Sequence, residues 1–178
     1  EVAARLNAAL PPGGRPLSGA ENHEVGSCPV VVVAVPYQAV VETISPLAPA
    51  LRGRLLISTA VPMEFVGGRA EPLRPGAGSA GEELAALCPD SRVVGAFHTV
   101  AAGQLLNLAQ TLDEDVLVSG DDPQDRHIVS HLVGLVPGLR PVESGPLRSG
   151  RFSEALTPLL LQLNRLHRAH TGIRITGI

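Results

Sequence analysis

Lysine and tryptophan are absent from this 178-residue chain, and aromatic side chains make up only 2% of it. All 14 cationic side chains are arginines, so the chain has neither a Schiff-base lysine nor a P-loop lysine. The scarcity of aromatics excludes stacking platforms for nucleic acid. The two cysteines, Cys28 and Cys88, lack C-x-x-C spacing, so they give neither a disulfide framework nor a zinc site and fit a reducing cytoplasm.

A large excess of charge of either sign is also lacking, since 17 carboxylates against 14 cations give a net charge of −3. We therefore expect no contact with nucleic acid or with a membrane surface. No apolar run reaches the roughly 18 residues that a bilayer span needs. With 44% hydrophobic residues, the chain suits one soluble α/β-sized domain. It opens at Glu1, without Met and within a helical pattern, and we expect that an N-terminal piece is missing.

Apolar, β-branched runs predict five strands, and apolar residues at steps of three and four predict the helices between them. The interval 61–78, rich in proline and glycine, predicts a long surface loop. Residues 104–112 are either a helix or a loop. The predicted strands are Pro29–Pro36, Arg54–Ala60, Ser91–Phe97, Asp115–Gly120 and Leu139–Val142, and the predicted helices are Tyr37–Leu51, a short one after the Ser79 capping box, Pro123–Leu135 and Phe152–Leu166.

This alternation predicts a Rossmann-like α/β fold, a mostly parallel doubly wound sheet with a helical C-terminal extension. Ligands of such sheets bind outside the carboxyl ends of the strands. The residues that follow the predicted strands are therefore the first candidates for a site, namely 34–36, 59–62, 98–100, 120–122 and 144–147.

A literal G-x-G-x-x-G occurs at Gly76–Gly81, but it fails the physical test for a dinucleotide-binding turn. Such a turn directly follows a buried strand, whereas Pro72 and Pro75 precede this one and cannot donate to a sheet ladder. We expect a flexible loop that leads into the capping box of Ser79 and Glu82.

Five blocks of sequence, in order, resemble one known family. They are Val31–Pro36, Ala96–Val100, Asp115–Asp122, Gly138–Leu147 and Glu154–Leu160, within a resemblance that runs from about Gly19 to Gly177. The pattern is similar to that of the NADPH-dependent reductases of the deazaflavin coenzyme F420. Family members begin with a strand, a glycine-rich turn and a second strand that selects NADP, so the resemblance implies a sheet lacking its first βαβ elements.

The resemblance implies hydride transfer between NADP(H) and coenzyme F420, and a homodimer paired through the helix 152–166. It also implies that residues 1–100 are the remainder of the NADP-binding domain and that 101–178 contribute to the deazaflavin site and to dimerisation. The implied cofactor contacts are Ala34, Val35 and Pro36 for NADP, the variant turn Thr59, Ala60 and Val61, the segment His98, Thr99 and Val100, and Gly145, Pro146 and Leu147 for the deazaflavin.

His98 is the candidate catalytic residue, because negative charge develops on a deazaflavin that accepts hydride and a donor must meet it. The alternative for His98 is a structural histidine whose hydrogen bonds are made within the protein. The alternative for Thr99 is an ordinary helix cap. Asp121 and Asp122 are explained by a helix N-cap, and the pairs His127/His131 and His167/His170 by solvated helix faces, so we expect no metal.

Two other functions stay open on the sequence alone. One is a Rossmann reductase of the pyrroline-carboxylate or hydroxy-acid type. The other is an inactive domain or interaction module, since the chain has no glycine-rich turn to hold a pyrophosphate.

Overall fold

Seven strands form two sheets in the computed structural model, which describes residues 2–178. The strands are β1 (Val30–Val33), β2 (Leu55–Ser58), β3 (Met63–Val66), β4 (Arg69–Pro72), β5 (Arg92–Gly95), β6 (Glu114–Gly120) and β7 (Leu139–Gly145). The main sheet has the order β1-β2-β5-β6-β7, while β3 and β4 pair only with each other. Because β5 and β6 are neighbours, the main sheet continues across residue 100.

Helices connect the strands and lie on both faces of the main sheet. They are α1 (Val2–Ala8), α2 (Val40–Ile44), α3 (Ala80–Leu87), α4 (Ala102–Leu105), α5 (Pro123–Gly134) and α6 (Gly150–His167). Single 3₁₀ turns at 37–39 and 45–47 flank α2, so the helix predicted over 37–51 is broken near its prolines. Glu1, the first residue of the predicted N-terminal pattern, lies outside the described residues.

Two apolar clusters, one on each face, make up the core. One packs α2 and α3 against β1 and β2, and its buried members include Val33, Ile44, Leu56, Leu84 and Leu147. The other packs α5 against β2, β5 and β6, and its members include Ile57, Val94, Val118, Val129 and Val133. A sheet covered on both faces needs strands that are apolar on both sides, which is why β2 is buried along its whole length. The predicted doubly wound architecture is confirmed.

Strand direction changes once in the main sheet. The pairs β1/β2, β2/β5 and β6/β7 are parallel, so the prediction of a mostly parallel sheet is also confirmed. The pair β5/β6 is antiparallel, with Val94 opposite Gly120 and Gly95 opposite Ser119. The carboxyl ends of β6 and β7 therefore point away from the edge at which β1, β2 and β5 end. The candidate residues 120–122 and 144–147, at the ends of β6 and β7, therefore do not share an edge with those at the ends of β1, β2 and β5.

The prediction of a long surface loop over 61–78 is wrong, because the first half of this segment is a β-hairpin. Met63 pairs with Pro72 and Val66 with Arg69, which leaves Gly67 and Gly68 as a two-residue turn. Both glycines have positive φ, +57° and +77°, as a turn that matches strand twist requires. Proline is tolerated at the end of β4 because that residue lies at an edge. The second half does lead into α3, where the amide of Glu82 donates to Ser79 Oγ.

No helix among residues 2–178 combines the length and the apolar character needed to cross a membrane.

Candidate functional site

A cavity of about 570 Å³ opens where β1, β2 and β5 end. Its lining combines the strand ends with the hairpin and with α6. The lining residues are Ala34, Val35, Pro36, Tyr37, Gln38, Thr59, Ala60, Val61, Met63, Glu64, Phe65, His98 and Thr157. The structure thus brings together two of the predicted segments, 34–36 and 59–61, with His98.

The strand ends are held together by hydrogen bonds that continue the sheet beyond its last paired residues. The amide and the hydroxyl of Thr59 both donate to the carbonyl of Val33, at 3.3 and 3.2 Å. On the other side, the amide of Ala96 donates to the carbonyl of Ser58 at 3.1 Å. The floor of the cavity is therefore an extension of the rigid sheet and not a free loop.

The hairpin supplies a wall that the sequence analysis missed, through Met63, Glu64 and Phe65. It is anchored from two sides, because Gln38 donates to the carbonyl of Met63 at 2.8 Å and Gln162 of α6 donates to that of Ala70 at 3.2 Å. Two adjacent glycines between β-compatible residues are a hairpin signal, so the wall could have been predicted from Gly67 and Gly68.

His98 lies in the turn after β5, and its ring faces the protein interior. The imidazole is 1% exposed, with Nδ1 3.3 Å from Ser153 Oγ and Nε2 4.0 Å from Glu154 Oε1. Burial lowers the pKa of His98 from 6.5 to about 4, so the ring is neutral at physiological pH. A direct contact between this ring and a ligand would require the side chain to turn, and the donor role assigned to His98 stays a prediction.

Glu154 is a buried carboxylate at the N-terminus of α3. The amides of Ala80 and Gly81 donate to its two oxygens, at 3.0 and 3.3 Å. Burial raises the pKa of Glu154, and these two hydrogen bonds oppose that increase because they stabilise the ionised form. Sequence reasoning missed this residue, since a glutamate on an amphipathic helix is ordinarily solvated.

The other predicted contacts lie outside the cavity. Thr99 is buried and Val100 packs against the core on the α5 face. Gly145 ends β7, and Pro146 and Leu147 line a separate cavity of about 310 Å³. The reversed direction of β6 and β7 is the reason for this separation. Cofactor contacts of these five residues stay predictions.

The candidate metal ligands are used in other ways. Asp122 caps α5 by accepting from the amide of Gln124 at 2.7 Å, and Asp121 accepts from the amide of Leu147 at 3.0 Å. Within the part of the chain that the structure describes, no three His, Cys, Asp or Glu side chains are grouped so that they could hold a metal ion.

The chain is similar to known proteins, although no protein-family model matches it. It is 35% identical over 153 residues to an F420-dependent NADP reductase of Methanocaldococcus jannaschii, covering 84% of this chain and 68% of that protein. It is 34% identical over 168 residues to an F420-dependent NADP reductase of Methanothermobacter thermautotrophicus, covering 91% and 72%. The chain belongs to the F420-dependent NADP reductase family.

A solved structure agrees with this fold. A protein from Arthrobacter sp. FB24, which carries the same family name, superposes with a TM-score of 0.79 over 89% of this chain and 74% of its own. At 22% identity, this likeness supports the Rossmann-like fold alone.

The buried ring of His98 makes a prediction about the stability of this F420-dependent NADP reductase family member. The unfolded chain binds a proton at His98 near pH 6.5, whereas the folded chain does not until about pH 4, so acid favours unfolding. Relative to His98→Gln, the wild type is expected to lose about 2 kcal/mol of unfolding free energy between pH 7 and pH 5.

Urea unfolding of both proteins at each pH measures this difference. His127→Gln, which replaces an exposed histidine, is the control and is expected to follow the wild type. A difference between wild type and His98→Gln that stays constant over this pH range contradicts the buried, neutral ring.

Proposed function

We propose that this protein transfers hydride between NADP(H) and coenzyme F420. Membership of the F420-dependent NADP reductase family, with relatives 33–35% identical over most of the chain, carries the proposal. The cavity at the ends of β1, β2 and β5 is where the fold would hold the reacting rings. Its volume falls within the usual range of small-molecule sites, roughly 300–1,000 Å³.

Hydride passes between a nicotinamide carbon and a deazaflavin carbon when the two flat rings stack with these carbons about 3–3.5 Å apart. The protein therefore has to supply position and shelter from water, because the coenzymes carry the reactivity. The small side chains of Ala34 and Ala60 leave room for a planar ring, and Pro36 and Val61 add rigid apolar surface. These residues fit the requirement for a flat apolar slot.

Three of the polar side chains in the lining, Tyr37, Gln38 and Thr59, suit orientation of a ligand better than proton transfer. Gln38 and Thr59 already donate to backbone carbonyls, of Met63 and Val33 respectively, which fixes their side chains at the rim. Tyr37 donates to Glu83 at 2.9 Å, and burial together with this carboxylate raises the pKa of the phenol to about 12. The phenol thus keeps its proton.

We propose that Ala34, Val35 and Pro36, with Thr59, Ala60 and Val61, contact the nicotinamide and its ribose. The cavity draws on both of the predicted portions of the chain, because Thr157 of α6 completes a lining that otherwise comes from residues before 100. This shared lining supports a contribution of both portions of the chain to one site.

Filling the slot tests the proposal. Ala34→Trp puts an indole into the space that a ring would occupy, at an exposed position where the core is undisturbed. Even a 1 Å displacement of reacting groups can lower the rate a hundredfold, so kcat/KM is expected to fall about 100-fold. The change in deazaflavin absorbance with NADPH and F420 measures the rate in the gene product that carries this chain.

The matched control is Val41→Trp, which places the same side chain on an exposed face of α2 outside the cavity lining. It is expected to keep the wild-type rate. Equal rates for both variants would contradict the site. Activity on an imine or a 2-oxo acid, with none on F420, would contradict the function.

We also propose that two copies of the chain pair through α6. Phe152, Leu159 and Leu166 recur at intervals of seven residues and are 71%, 50% and 74% exposed. Such a stripe on one helix face suits self-complementary pairing around a twofold axis. Leu159→Glu is expected to convert a dimer to a monomer in sedimentation, whereas Leu135→Glu, at an exposed position outside α6, leaves the dimer intact. A monomeric wild type would contradict the proposal.

The cytoplasm is the proposed location. Cys28 and Cys88 are both free, as thiols are in a reducing compartment.

A further inference from the structure

Three side chains of α6 hold a single residue, His98, from one side. Ser153 Oγ lies 3.3 Å from His98 Nδ1, and Glu154 Oε1 lies 4.0 Å from Nε2. One turn further along, the hydroxyl of Thr157 donates to the carbonyl of His98 at 2.8 Å. The ring and the backbone of the same residue are thus both fixed by α6, and this residue also lines the cavity.

The turn that carries His98 is strained and needs such support. Phe97, just before it, has a φ of +63°, in the left-handed region that side chains with a Cβ avoid. For a bulky residue this conformation is unfavourable, so it persists only where the surroundings enforce it. The contacts from α6 hold His98, the residue that directly follows Phe97.

Glu154 joins this turn to a second element. Its oxygens accept from the amides of Ala80 and Gly81, two of the donors that the first turn of α3 leaves without helical partners. The nearby carboxylates of Glu82 and Glu83 repel its charge, whereas the α3 amides attract it. A single carboxylate of α6, 4% exposed, is therefore hydrogen-bonded to α3 and lies 4.0 Å from the ring in the turn after β5.

The neighbours of the two ring nitrogens determine whether Nδ1 or Nε2 carries the single proton of the neutral imidazole. Nε2 is buried and neither accepts nor donates a hydrogen bond among the described residues, and the Glu154 carboxylate lies 4.0 Å from it. A carboxylate at this distance attracts an N–H and repels a lone pair. The Ser153 hydroxyl has two acceptors within reach, the carbonyl of Gly150 at 2.9 Å and Nδ1 at 3.3 Å, and its one hydrogen serves one of them at a time. With the ring proton on Nε2, this hydroxyl turns from Gly150 to donate to Nδ1.

We propose that Glu154 is a positioning residue of the site, which fixes His98 as the neutral tautomer protonated on Nε2 and so holds the turn that lines the cavity. Its importance for catalysis rests on the proposed function, whereas the tautomer does not. Glu154 acts through His98 and α3 and does not itself line the cavity.

The ¹⁵N shifts of the imidazole nitrogens test the tautomer without any substrate. The wild type is expected to show one histidine that stays neutral from pH 5.5 to 8 with its proton on Nε2, and His98→Gln identifies that signal by removing it. In Glu154→Gln the side-chain amide can donate to Nε2, so the proton is expected to move to Nδ1. A proton on Nδ1 in the wild type, or an unchanged tautomer in Glu154→Gln, overturns the inference.

Two further variants are measured in the same ¹⁵N experiment. Glu143→Gln makes the same chemical change at an exposed carboxylate on β7 and is expected to leave the His98 signal unchanged. Ser153→Ala removes only the Nδ1 partner, so Nε2 is expected to keep its proton. This variant tests the role of Glu154 even where Glu154→Gln fails to fold, and a proton on Nδ1 in Ser153→Ala overturns the inference.

Kinetics then test the positioning role. Glu154→Gln is expected to lower kcat about tenfold and to change the KM for NADPH less than twofold, because a displaced turn misaligns bound rings more than it weakens their binding. In Glu154→Asp the side chain is one methylene shorter, so its carboxylate cannot lie near both the His98 ring and the α3 amides. We therefore expect the kcat of this variant to stay below that of the wild type. Wild-type kcat in a folded Glu154→Gln overturns the positioning role. A wild type without hydride transfer overturns the proposed function and leaves the tautomer result standing.

Discussion

The antiparallel pairing of β5 with β6 is the constraint on which the location of the site depends. In a fully parallel sheet every strand would deliver its last residues to one edge, but here only β1, β2 and β5 do so. The connections after β6 and β7 emerge elsewhere, and Leu147 ends in the core against Gly81. The chain therefore builds its cavity from three strand ends and has to close it with other elements.

Those other elements are the hairpin and α6, and polar contacts hold both in place. Gln38 and Gln162 attach the hairpin through backbone carbonyls, while Glu154 and Thr157 attach α6 to α3 and to the turn at His98. Glu154 is buried, whereas Gln38 and Gln162 are exposed. A buried polar group left unpaired destabilises a structure by about 1–3 kcal/mol, so the contacts of Glu154 favour one arrangement of α6 against α3.

Hydrophobic pattern and capping chemistry were enough to predict the layers of the fold. The β-branched run predicts a strand, and β1 is found within it. Ser79 is found at the N-cap of α3, where its hydroxyl accepts from the amide of Glu82, but the Glu82 carboxylate accepts from this hydroxyl and not from the Ser79 amide that a capping box would use. The direction of β6 and β7 could not be predicted from the sequence, because an alternation of strands and helices is compatible with one antiparallel pair in the sheet. The inward orientation of the His98 ring was hidden too, since it depends on Phe97 and Glu154, which meet only in the folded chain. The hairpin was missed although Gly67 and Gly68 signal it.

We propose that the coenzymes bind between the strand ends and the hairpin. Titration of the ¹⁵N-labelled protein with NADP⁺, followed through backbone amide shifts, tests this location. The largest shifts are expected at Val35, Ala60 and Phe65. Shifts concentrated at Gly145 and Leu147, with the strand ends unaffected, would contradict it.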